Sequence, residues 1–76
     1  KPHPEIYLKA AAALGYANHQ CIVIEDSLSG VTAGKKSGSK VVGITTTHTA
    51  EELHEADHII ADFHTLTLAQ LEALVN

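Results

Sequence analysis

With 76 residues, five basic and nine acidic side chains and a formal net charge of −4, the chain makes at most one small domain, and a domain of this size buries only about 60% of its unfolded surface. The acidic balance, with lysines but no arginine, argues against nucleic acid as a partner, and no apolar run approaches the ~20 residues that cross a bilayer. The expectation is therefore a soluble chain with no membrane partner, cytoplasmic by default, whose core calls for a partner or for further sequence.

Pro2 and Pro4 favour an extended start, and EIYLKAAAALG from Glu5 onward places Ile6, Leu8, Ala10, Ala13 and Leu14 among strong helix formers. Gly15 then supplies a left-handed stop. Cys-Ile-Val-Ile at 21 to 24 is a short, mostly β-branched apolar run, the pattern of a strand buried on both faces of a parallel sheet. Its lone Cys21 reads as a small buried hydrophobe. Glu25 and Asp26 come directly after the run. From Ser27 or Ser29, either a good N-cap, a second helix extends to Gly38, with Lys35 and Lys36 suiting its C-terminal dipole.

Lys40 leads into Val41-Val42-Gly43-Ile44, a second buried strand, and Thr45 to His48 form the loop at its end. Thr49-Ala-Glu-Glu can cap a short helix. His58-Ile59-Ile60-Ala61 reads as a third strand, and LTLAQLEALV as a closing helix. Helices alternating with strands over short connections give an α/β fold with a parallel sheet and right-handed crossovers. In such sheets ligands sit beyond the carboxyl ends of the strands, which is where Glu25, Asp26 and Thr45 fall.

Two adjacent carboxylates repel each other and need hydrogen bonds or a cation to offset desolvation. Magnesium takes oxygen ligands, commonly one or two carboxylates with waters and substrate phosphate. On residue types alone the alternative is as good: Asp26 caps the next helix and Glu25 reaches solvent. The Thr45 to Thr47 run fits an ordinary polar loop and carries no assignment.

Further residues stand in a recognisable order: Lys1-Pro2-His3-Pro4-x-x-Tyr7, Ala11, Leu14-Gly15, Glu25-Asp26-Ser27-x-x-Gly30, Ala33-Gly34, Ser37-Gly38 and Val41. This order resembles the haloacid dehalogenase (HAD) superfamily. More narrowly it resembles the branch of helical-cap phosphatases and β-phosphoglucomutases, with Ala56-Asp57 and Asp62-Phe63 matching that branch's tail. The resemblance spans the chain and implies a Rossmann-like core. It maps Lys1 to contact with the phosphate and the nucleophilic aspartate, and Glu25 and Asp26 to magnesium, with Ser27 either supporting the metal loop or simply capping the helix.

The family's nucleophile and acid/base aspartates lie in a DxD motif after the first strand, and no DxD occurs here. The threonine or serine motif and the cap also precede the lysine in that family. The resemblance thus implies the C-terminal segment of a HAD-like core domain, spanning residues 1–76, whose partner is an N-terminal segment of the same protein. The strand bearing Glu25 should then expose a bare sheet edge. The implied activity is magnesium-dependent transfer of a phosphoryl group from a small phosphorylated metabolite, through an aspartyl-phosphate formed on an aspartate outside this chain. This chain alone is expected to be inactive.

Two rival readings come from other classes. His54-Glu55-Ala56-Asp57-His58 spells the HExxH of zinc peptidases, with His64 at the third-ligand spacing of the longer metzincin pattern. That chemistry needs both histidines on one helix, whereas His58 opens a run that reads as a strand and Ala61 stands where metzincins carry glycine. The third reading is a noncatalytic α/β interaction fragment, since fold alone does not establish activity.

Overall fold

The computed structural model describes residues 3–75. Pro2 thus lies outside the described residues, and Pro4 is not extended. It caps α1 (Glu5–Leu14) with helical dihedrals, and its carbonyl accepts from the backbone N–H groups of Tyr7 and Leu8, both at 3.0 Å. The helix stops at Gly15, whose φ of 81° is a left-handed conformation that costs glycine nothing.

Three parallel strands come next, β1 (Ile22–Glu25), β2 (Lys40–Ile44) and β3 (His58–Ile60), in the order β1-β2-β3. Between β1 and β2 runs α2 (Leu28–Lys36), and α3 (Leu68–Val75) closes the chain. The α/β class and the parallel sheet are as expected. Short 3₁₀ turns at Asn18–Gln20 and Phe63–Thr65 were not.

Alternation along β2 builds the two faces of the core. Val41 points to one face, where it meets Val31 of α2 and Leu53, with Val23 and Ala56 packed alongside. Val42 and Ile44 point to the other, where they meet Ile60, Ile22 and, from the C-terminal part of the chain, Leu66 and Leu74. A helix can lie this close to the sheet because Gly34 faces it without a side chain: a Cβ there would come within 2.7 Å of a Val41 methyl.

The sheet's middle and its edge differ. β2 is buried, but β1, like β3, is an edge strand, and Ile24 is 39% exposed instead of covered on both sides. An apolar groove of about 250 Å³ runs between β1 and the Tyr7, Ala10, Ala11 and Leu14 side of α1. Cys21 lines it, half-buried.

The expected helix after Thr49 does not form. Thr49 and Glu52 do make the reciprocal capping bonds, with the Thr49 N–H donating to Glu52 Oε1 at 2.8 Å and the Glu52 N–H to Thr49 Oγ1 at 3.2 Å. Only a single turn results, because the chain must swing back to start β3 at His58. That turn sets Leu53 into the core.

Asp57 secures the return. Its N–H donates to the Val41 carbonyl at 2.8 Å, while its carboxylate accepts from the Val41 N–H at 2.7 Å and from Lys35 Nζ at 2.8 Å. Burial opposes ionisation, but the Lys35 and Val41 hydrogen bonds and the charges of Lys35 and Lys40 outweigh it and hold the carboxyl below its ordinary range. The contribution of this carboxylate to stability is therefore complete above the ordinary aspartate pKa of about 3.9 and fades as pH falls through the lower folded value. Asp57→Ala is expected to cost about 1–3 kcal/mol near neutral pH, and denaturant titrations should show the gap from wild type narrowing below about pH 4. A gap that stays constant in acid would assign the loss to packing instead.

Candidate active site at the carboxyl edge of the sheet

β1 delivers Glu25 as its last residue and Asp26 immediately beyond it, while β2 ends in the loop from Thr45 to His48. The two ends are tied together. Asp26's backbone carbonyl accepts from Thr47 Oγ1 at 3.1 Å and from His48 Nδ1 at 3.0 Å. His48 Nδ1 also lies 3.0 Å from Thr47 Oγ1, so the two loop side chains and this carbonyl form one cluster. Thr45 is tied elsewhere, its N–H donating to the Ile60 carbonyl at 3.0 Å at the end of β3.

These bonds use Asp26's backbone and leave its exposed side chain at the sheet's carboxyl edge. Asp26 does not cap α2. Ser27 is the N-cap, its Oγ accepting from the Gly30 N–H at 3.0 Å. The same hydroxyl lies 3.4 Å from Glu25 Oε1.

Glu25 has side-chain partners where Asp26 has exposure. Half-buried, it turns back beneath the first turn of α2, where its other oxygen accepts a hydrogen bond from the Tyr7 hydroxyl. Space for it exists because residue 30 is glycine: a Cβ there would overlap the Glu25 carboxyl and stand 2.9 Å from its Cγ. Burial, the bond to Glu25 and the glutamate's charge push the Tyr7 phenol up to about 12, so it stays a protonated donor at physiological pH. His3, Ile6, Tyr7, Glu25 and Gly30 all line a cleft of about 310 Å³ beside this network.

Of the residues singled out by sequence, Glu25, Asp26 and Ser27 thus come together, whereas Lys1 lies outside the described residues. The sequence reading gave no role to Tyr7, Thr47 or His48. Tyr7 did carry a signal, as the last residue of the KPxPxxY run; the two loop residues carried none, because contact across a gap of 21 or 22 positions leaves no local pattern.

The donor set suits a hard cation. An exposed carboxylate at a strand end, with a second one adjacent in sequence, matches magnesium's habit of taking one or two carboxylates and completing its shell with water and substrate oxygens. The zinc alternative is not favoured. His58 lies in β3, paired with Val42, so it shares no helix with His54. His54 Nδ1 lies 3.0 Å from the Glu51 carbonyl, and Glu55 accepts from Thr32 at 3.0 Å. Among the described residues no group of three or more His, Cys, Asp or Glu is placed to share a metal.

The chain is similar to several known proteins. Validoxylamine A 7'-phosphate phosphatase of Streptomyces hygroscopicus subsp. limoneus is 48% identical over 62 residues, covering 82% of this chain and 29% of that protein. A HAD hydrolase of family IA, variant 3, from Entamoeba histolytica superposes with a TM-score of 0.90 at 35% identity, covering 99% of this chain and 35% of that one. β-Phosphoglucomutase from Clostridium difficile superposes with a TM-score of 0.86 at 30% identity, covering 100% of this chain and 33% of that one. The chain thus spans about a third of the length of the proteins it matches. Residues 1–44 match the model of the haloacid dehalogenase-like hydrolase family, and the chain belongs to that family.

Proposed function

We propose that this chain is the C-terminal segment of the core domain of a magnesium-dependent phosphatase or phosphomutase that acts on small phosphorylated metabolites. The observation that carries the reading is the exposed Asp26 side chain at the carboxyl end of β1, its backbone clasped by Thr47 and His48. Two relatives, a phosphatase and a phosphoglucomutase, supply the reaction class.

In this reading Asp26 and Glu25 hold magnesium, which supplies positive charge to the phosphoryl oxygens. Ser27 supports the loop as cap of α2. Lys1 places a second positive charge against the phosphate, as electrostatic stabilisation of phosphoryl transfer requires. A nucleophilic aspartate from the preceding part of the protein forms a bond to phosphorus as the phosphorus–oxygen bond to the substrate breaks, and the acid/base aspartate of the same segment gives the leaving alkoxide its proton. Water then accepts the phosphoryl group in a phosphatase, and a second sugar hydroxyl does so in a mutase.

The longer protein should release phosphate from a panel of small sugar and polyol monophosphates, lose this activity in chelator and regain it with Mg²⁺. Turnover indifferent to chelation, or absent on every phosphomonoester, would refute the reading. The apolar edge of β1 is where the preceding segment pairs. Alone, the 76-residue chain is therefore expected to be inactive and to self-associate through that edge. Native mass spectrometry that found only a soluble monomer of 8.1 kDa would count against this.

A further inference from the structure

Adjacent residues at a strand end ordinarily send their side chains to opposite faces, so nothing in the chain's local geometry aims both carboxylates of Glu25-Asp26 at one ligand. Asp26 is exposed at the carboxyl edge, while Glu25 is folded back into a fitted space. Three features make that space: the Tyr7 hydroxyl on one carboxylate oxygen, the Ser27 hydroxyl 3.4 Å from the other, and the missing side chain of Gly30. Tyr7 comes from α1, 18 positions upstream, and is placed there in part because Asn18 Nδ2 donates to its carbonyl at 3.2 Å and to Ser39 Oγ at 3.2 Å.

We propose that Tyr7 is a positioning residue for the metal site. Through its hydroxyl it holds the Glu25 carboxylate against Gly30, and so sets how the end of β1 presents its two carboxylates to the cation. The inference rests on the reading of Glu25 and Asp26 as magnesium ligands. Tyr7 itself touches neither metal nor phosphate. It acts by removing rotamers from a flexible glutamate, whose side chain otherwise loses conformational freedom when ordered.

Removal of a hydrogen-bonding partner behind a metal ligand typically costs 10–100-fold in metal affinity. Tyr7→Phe keeps the ring and removes only the hydroxyl. In the full-length protein it is expected to weaken Mg²⁺ binding, measured by isothermal titration calorimetry, by about tenfold. The turnover lost at low Mg²⁺ should be recovered by raising the Mg²⁺ concentration. In a Glu25→Ala background Tyr7→Phe should change the Mg²⁺ affinity no further, because the group it positions is gone.

Gly30→Ala provides an independent arm. It leaves Tyr7 intact but sets a methyl where the carboxylate lies, and alanine is a better helix former than glycine, so the variant should fold. It too is expected to weaken Mg²⁺ binding. A Tyr7→Phe protein with wild-type Mg²⁺ affinity, or one whose loss persists unchanged in the Glu25→Ala background, overturns the positioning role and leaves the magnesium reading standing. A wild-type protein that binds no Mg²⁺ overturns both.

Discussion

Replacing Asp26 with asparagine in the full-length protein is expected to lower turnover of a phosphomonoester by about a hundred- to a thousandfold, the scale set by loss of one fixed electrostatic contact to the transition state. Asparagine keeps the shape and removes the charge that a hard cation requires. Stability should barely move. The bonds that tie Asp26 to Thr47 and His48 run through its backbone carbonyl, and its side chain is exposed. Activity assays paired with thermal melts separate the two effects, and an Asp26→Asn enzyme with ordinary turnover would remove Asp26 from the metal site. Glu25 differs in kind. Its carboxylate is built into the Tyr7 and Ser27 network, so its substitution should disturb packing beneath α2 as well as metal binding.

Leu53→Ala should produce the largest loss of stability. Leu53 is wholly buried between Val31 and Val41, and its side chain comes within 3.4 Å of where a Cβ on Gly43 would stand. Cutting a buried leucine to alanine costs about 2–5 kcal/mol, a large share of the roughly 5–15 kcal/mol that holds an ordinary domain together. Urea denaturation of the full-length protein should show a lower midpoint with an unchanged slope. Leu68, 71% exposed, makes the control: Leu68→Ala is expected to stay within about 0.5 kcal/mol of wild type. A Leu53→Ala loss no larger than that of Leu68→Ala would mean that the turn after Thr49 is not part of the core.

Both substitutions bear on how much of this molecule can be read from its residues. The apolar run after Cys21, the Gly15 stop and the lysines closing α2 are local signals, set by β-branching, positive φ and the helix dipole, and the strands and helices stand where those signals put them. The KPxPxxY and EDSxxG runs were legible for the same reason: each is a fixed spacing within a few residues. Thr49 shows the limit. Its capping box forms with Glu52 as the motif predicts, but propagation into a helix depends on the residues beyond the box, and here the demands of β3 and the burial of Leu53 prevail.

The sequence by itself determined that the chain alternates helices with strands, that two carboxylates end the first strand, and that the order of motifs is that of a HAD hydrolase. Only the tertiary structure decided what each of the two carboxylates meets. Asp26 is held at the sheet edge by a loop more than 20 positions away, and Glu25 is drawn under α2 by Tyr7 into the space that Gly30 leaves. Composition and periodicity report what a residue prefers. They are silent on which distant hydroxyl will reach it, since that is settled by how α1, the sheet and α2 pack together.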